Sequence, residues 1–198
     1  MSSPLERQLI SKQTLERVTS CTACDILPLG PRPILQLHPN ARILIAGHAP
    51  GRKTHEKGIP FDDASGNRLR DWMGLSRDQF YDIELVAVLP MALCYPGTST
   101  SGDLPPPPIC AEKWRSGLLK LLPRIDLTLL IGQYALDWHL KEKQSKTLTE
   151  TVRNWKSYWP EILPMPHPSP RNNRWLKKNL WFEDEVLPEL RRKVATFT

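Results

Sequence analysis

Four short apolar runs constrain this chain more than any other feature. They are Arg42-Ile43-Leu44-Ile45-Ala46-Gly47, Leu85-Val86-Ala87-Val88-Leu89, Leu127-Thr128-Leu129-Leu130-Ile131 and Ile162-Leu163-Pro164-Met165-Pro166. Each reads as a buried strand, because a parallel strand covered on both faces is apolar throughout rather than alternating. The intervening segments carry helical signals: residues 4–19 with Leu5, Leu9, Leu15 and Val18, 65–73 stopped by Gly74, 111–122, 133–143, 148–158, and a tail over 181–195. Strands alternating with helices imply an α/β fold, here a three-layer α/β/α sandwich around a central, mostly parallel four-stranded sheet. The 198 residues fill one core, and with no internal repeat or low-complexity linker a single domain over 1–198 is expected.

In such sheets ligands gather beyond the carboxyl ends of the strands. Three informative segments fall there: 47–61, 90–94 and 167–172. In the last, His167-Pro168-Ser169-Pro170-Arg171-Asn172, two prolines fix the backbone and leave His167 on a rigid turn, with Arg171 and Asn172 at its rim. In the first, Gly47-His48-Ala49-Pro50-Gly51 is followed by Gly58-Ile59-Pro60-Phe61. Its glycines allow backbone to approach a ligand, and Phe61 follows a proline that limits its direction. Ser65 then opens a helix whose Arg68 and Arg70 read as solvated, although its free N–H groups could face a phosphate.

The net charge of +6 favours a polyanionic partner, since neutralising phosphates releases counterions. With 40% hydrophobic and 24% charged residues the composition is that of a soluble domain, and no apolar run approaches the roughly 20 residues needed to span a bilayer. Met1-Ser2-Ser3-Pro4-Leu5-Glu6-Arg7 lacks the apolar core of a secretion signal, so a cytoplasmic monomer is the expectation. Cys21, Cys24, Cys94 and Cys110 are too few for a disulfide scaffold. Their pattern, C-x2-C, a long gap and C-x15-C, is of the kind that gathers four thiolates around a metal. Of the other polar groups, His139 reads as a helix-face residue and Asp126 and Asp137 as solvated. The tryptophans read as packing, and Arg174, Lys177 and Lys178 as phosphate contacts that follow the His167 loop.

The His167–Asn172 segment resembles the second motif of uracil-DNA glycosylases, and the longer HPSPRN form is similar to their single-strand-selective monofunctional branch. The Gly47–Gly51 and Gly58–Phe61 segments resemble the first motif and the downstream Gly-x-Pro-Phe of the same superfamily. The resemblance implies that the chain flips a damaged base out of DNA and hydrolyses its N-glycosidic bond. His167 would stabilise the departing base, Phe61 would stack on it, and Gly47, Ala49, Pro50, Gly51 and Met91 would complete the base-binding set. Ser169, Pro170, Arg171 and Asn172 would enter the DNA.

The cysteines resemble those of the iron–sulfur branch, which implies a structural [4Fe–4S] cluster on Cys21, Cys24, Cys94 and Cys110; four thiolates around zinc stay open as the alternative. Three positions depart from the family. The aspartate that positions water maps to Ala49, the iron–sulfur branch's glutamate maps to His48, and the asparagine that reads uracil maps to Pro90. His48 is therefore the expected water-positioning residue, with His55, Glu56, Asp62 and Asp63 as competitors. Pro90 leaves hypoxanthine or xanthine open as substrates beside uracil, and Ala49 leaves open a DNA- or base-binding protein without hydrolysis.

Overall fold

The computed structural model describes residues 4–24, 26–100 and 102–198, with side chains from Lys12 onward. The side chains of Leu5 and Leu9, and residues Met1, Ser2 and Ser3, lie outside the described residues. Helix Pro4–Thr19 leads toward Cys21 and precedes the first strand. Strands β1 (Ile43–Ala46), β2 (Val86–Val88), β5 (Leu127–Ile131) and β6 (Ile162–Met165) form one sheet in the order β2-β1-β5-β6. Every pairing in it is parallel, with Ile43 opposite both Val86 and Leu127, and Leu129 opposite Leu163.

Strand periodicity explains the layers. Alternate side chains point to opposite faces, so Ile43, Ile45, Val86, Val88, Leu127 and Leu129 meet helices Ala64–Met73 and Leu187–Ala195 on one side. Leu44, Ala87 and Leu89 meet Val18, Trp114 and Leu118 on the other. Helices thus cover both faces, as expected for three layers. Pro164 donates no backbone hydrogen bond, which suits its place in β6 at the sheet edge. The opposite edge, β2, is covered by Gln36, whose backbone exchanges hydrogen bonds with Val88 at 2.7 and 2.9 Å.

Several elements differ from the sequence expectation. The helix over 65–73 starts at Ala64, because the Asp63 carboxylate accepts the Gly66 N–H at 2.9 Å and caps it. The expected helix over 111–122 runs through a π-turn at Ala111–Arg115, and the tail helix opens with another at Phe182–Val186. The segment 148–158 ends as an α-helix at Arg153 and continues as a 3-10 turn, Trp155–Ser157. Two short helices, Arg52–Lys57 and Arg77–Tyr81, and a small antiparallel hairpin were not anticipated. That hairpin pairs β3 (Thr98–Ser99) with β4 (Gly102–Asp103), inside what reads as a proline-rich loop. No helix among the described residues is long and apolar enough to cross a membrane.

Candidate active site

The chain passes from β1 to β2 on one side and later crosses to β5 on the other, so a crevice opens beyond the carboxyl end of β1. A cleft of about 430 Å³ lies there, lined among others by Gly47, His48, Pro50, Phe61, Pro90 and His167. It joins a second lobe of about 320 Å³ toward Gly132, Gln133 and Tyr134. His48, Ala49, Asp103, His167, Ser169 and Arg171 border both lobes. The combined space lies in the range of small-ligand pockets.

The loop after β1 is locked to the one after β2. Met91 and Ala92 donate their N–H groups to the carbonyls of Gly47 and His48, at 2.9 and 3.2 Å. Gly47, Ala49, Pro50 and Gly51 line the cleft. Met91 does not belong with them. Its side chain is buried among Ala46, Leu130, Ala135 and Leu136, and Pro90 faces the cleft instead. Both residues lie beyond the end of β2, in the bend that follows it, and that bend turns Met91 into the core.

Phe61 is half-buried, with its ring edge-on to Phe80 at 6.2 Å and φ of 55°. Helix Ala64–Met73 holds that unusual backbone from below. The Phe61 carbonyl accepts from Arg70 Nη1 at 3.2 Å, and a Cβ on Gly66 would lie 1.6 Å from the same oxygen. Only glycine fits there. Arg70 is accordingly 6% exposed, and Arg68 donates to the carbonyls of Pro168 and Ser169 at 3.3 and 3.2 Å. Neither arginine is the solvated side chain expected from the sequence; both brace the loops that carry Phe61 and His167.

His167 is fixed by its own loop. Its Nδ1 accepts the Ser169 N–H at 3.1 Å, and its carbonyl accepts from Asn172 Nδ2 at 2.8 Å. An imidazole that accepts at Nδ1 carries its proton on Nε2, so the neutral ring presents a donor. Burial is the main force keeping it neutral and pulls its pKa down to about 4; His48 and Arg171 push the same way, against Asp63 and Asp103. His48, edge-on to Tyr134 at 5.1 Å, is likewise lowered by burial, with Asp103 opposing.

Of the other candidates for positioning water, His55, Glu56 and Asp62 do not line the cleft. Asp62 bonds Lys57 at 2.9 Å and Arg77 at 2.6 Å, which holds its carboxyl down at about 2. Glu56 pairs with Arg52 at 2.9 Å on the surface. His55 is buried near Tyr95, at 6.1 Å between rings. Asp63 borders the cleft, but one oxygen caps the helix.

His139 lies on helix Gln133–Leu140, as expected, and is half-buried. Its Nε2 meets Arg115 Nη2 at 2.6 Å, and burial followed by that cation lowers its pKa to about 3. Arg115, 2% exposed, also donates to the carbonyls of Leu89 and Pro90, at 3.1 and 3.0 Å, and so fixes the floor under the cleft.

The four cysteines line one apolar cavity with Ala92, Leu93, Pro107 and Trp114. Leu93 N–H and Trp114 Nε1–H donate to the sulfurs of Cys110 and Cys21, at 3.3 and 3.2 Å. Burial raises the Cys110 thiol and pushes Cys94 up to about 11. Among the described residues no three cysteine, histidine or acidic side chains close on a point that would hold a single metal ion.

At the rim, Ser169, Pro170, Arg171 and Asn172 form a turn into helix Asn173–Lys178. Arg171, Arg174, Lys177 and Lys178 are all exposed there. A parallel α/β sheet with a switch-point cleft lined by a histidine donor and an aromatic ring, and with a basic rim, defines a protein class suited to a flat heteroaromatic ring carried on a polyanion.

The family follows from the sequence. Residues 35–191 match the uracil DNA glycosylase superfamily, and the chain belongs to it, among the DNA glycosylases. The solution NMR structure of a candidate uracil DNA glycosylase from Methanosarcina acetivorans is similar at 20% identity, with a TM-score of 0.46, covering 82% of this chain and 97% of that one.

Proposed function

We propose that the protein removes a deaminated base, uracil foremost, from DNA in base excision repair, as a monofunctional glycosylase. The observation that carries this reading is the orientation of His167: with Nδ1 occupied by the Ser169 N–H, its Nε2–H is the free donor in a cleft walled by Phe61. The target bond is unreachable in a stacked duplex, so the base must be extrahelical. Phe61 stacks on its face and the exposed cations of the rim hold the flanking phosphates. As the C1′–N bond lengthens, negative charge grows on the base and the hydrogen bond from a neutral His167 strengthens with it.

Pro90 favours a second reading of specificity. It borders the cleft and has no side-chain amide or N–H with which to read a pyrimidine edge, so hypoxanthine or xanthine is the alternative substrate.

We also propose that Cys21, Cys24, Cys94 and Cys110 hold a [4Fe–4S] cluster. The four cysteines line one apolar space, as a cluster that takes one thiolate per iron requires; zinc, which needs four sulfurs about 2.3 Å from one centre, is the alternative. Bound there, the group ties the segment after helix Pro4–Thr19 to the 94–110 segment.

Oligonucleotides bearing uracil, hypoxanthine or xanthine, incubated with the protein and then with alkali, test the activity. Cleavage only after alkali is expected with uracil. Cleavage with a purine lesion alone transfers the assignment to the second reading. Tight binding without cleavage on any of the three defeats the enzyme reading.

A further inference from the structure

A superfamily member with alanine at position 49 lacks the usual carboxylate for its water, and the structure supplies another one. We propose that Asp103, in place of the expected His48, accepts the proton of the attacking water. This inference rests on the glycosylase reading above.

Four observations carry it. Asp103 borders both lobes of the cleft, together with His48 and His167, and its charge acts on both imidazoles. Its Oδ2 stands over the first-motif loop, 3.9 Å from where a Cβ on Gly51 would lie. The hairpin that bears it is held to the His167 loop: Gly102 has φ of 134°, and a Cβ there would come within 2.7 Å of Arg171 Nη1. Absence of a side chain at 102 therefore lets Arg171 close against the hairpin and places the next residue at the cleft. Finally, among the described residues no hydrogen bond or ion pair engages the Asp103 carboxylate, whereas Asp62, Glu56 and Asp63 are each committed to a partner.

The step balances as a hydrolysis. The C1′–N bond breaks with its electron pair leaving on the base, whose anion His167 holds through Nε2–H. The water oxygen bonds C1′ and one water proton passes to an Asp103 oxygen. The products are a sugar hemiacetal and a base anion that takes up a proton, returned from Asp103 through solvent. A carboxylate beside C1′ also opposes the positive charge that develops on the sugar.

Single-turnover excision by Asp103→Asn, beside the parent, Asp63→Asn and Glu56→Gln, tests the assignment. Asp103→Asn should slow the parent's reaction by roughly a hundredfold, within the range of general-base loss. Binding to a duplex carrying a non-hydrolysable 2′-fluoro-deoxyuridine should be unchanged, and Glu56→Gln should match the parent. Asp103→Ala should be similarly slow and regain rate with added formate, which a purely structural role would not show. Parent-like turnover by Asp103→Asn overturns the proposal, as does a loss confined to Asp63→Asn or a loss of binding in place of rate. A parent that excises none of the three lesions overturns the glycosylase reading, and this inference with it.

Discussion

The histidine cleft and the cysteine cavity share one stretch of chain, 94–110, and hold their side chains in opposite ways. Around the cleft, polar groups are bonded to backbone. Ser169 N–H fixes His167, Arg68 fixes the carbonyls beside it, and Arg70 fixes Phe61. Those contacts need nothing from outside the chain, so the cleft is organised before a ligand arrives. Around the cysteines the lining is apolar, and burial pushes the Cys94 and Cys110 thiols away from the thiolate form. Such a site is stable with protonated thiols or with thiolates neutralised by metal, and costly with bare thiolates. The difference teaches that the geometry of the cleft and the proposed cross-tie of the cysteines are separable, although Asp103 and two of the cysteines lie on the same segment.

The sharpest break between the two regions should come from His167→Ala. If the cleft is organised on its own, this substitution lowers the single-turnover rate by about 10²–10³-fold, as losing one donor to a developing anion does. DNA affinity should change little, because the lost bond belongs mainly to the transition state. A parallel loss of affinity would make His167 a binding residue instead. The parent's pH behaviour adds a second check. With a folded pKa of about 4 against an ordinary 6.5, the unfolded chain binds this proton first as pH falls. Stability should therefore decline from about pH 6.5 toward pH 4, and His167→Ala should flatten part of that decline in Tm. An unchanged Tm profile would contradict the half-buried, neutral ring.

Smaller effects on rate, but larger ones on stability, are expected from Cys94→Ala. Protein purified anaerobically should be brown, with broad absorption near roughly 400 nm from thiolate-to-iron charge transfer, and the substitution should bleach it. Losing a cross-tie worth on the order of 2–3 kcal/mol would lower Tm by roughly 4–12 °C for a chain of this size. Colourless parent protein holding one stoichiometric zinc would replace the cluster with the single-ion alternative. Loss of excision equal to that of His167→Ala, with Tm intact, would join the two regions that the structure separates.

The sheet was legible because its four runs are apolar on both faces, and each became a strand within a residue or two of its expected limits. The convergence of His48, Phe61 and His167 was legible from motifs that follow strand ends. Asp103 was not. Its hairpin strands are two residues long, exposed or glycine, and set among prolines, so neither alternation nor propensity marks them. The signal that could have found it was positional: Gly102-Asp103 lies between two cysteines in the segment following β2, on the ligand side of the sheet. Arg70 misled for another reason. Nothing local distinguishes a solvated helix cation from one buried against Phe80 at 5.3 Å with a loop carbonyl to hold; tertiary packing decides. Met91 follows the end of β2 in a bend, where strand periodicity gives no guide to the side a residue faces.

The smallest expected effect sharpens the boundary of the cleft at Phe61. Its ring is half-buried, shared between the cleft and an edge-on contact with Phe80. A stacked base should lose about 1–3 kcal/mol of binding on Phe61→Ala, whereas losing the aromatic contact costs the fold about 0.5–1.5 kcal/mol. A residue packed wholly in the core would instead cost about 3–5 kcal/mol of stability and little binding. Because φ is 55°, Phe61→Gly separates the terms further. Glycine adopts that backbone without the strain that alanine and phenylalanine share, so Phe61→Gly should be at least as stable as Phe61→Ala. It should bind the extrahelical base no better, since neither offers a ring. Affinity for a duplex with a 2′-fluoro-deoxyuridine, measured beside Tm for both variants, decides the case. Intact affinity with a large fall in Tm would remove Phe61 from the cleft and return it to the core.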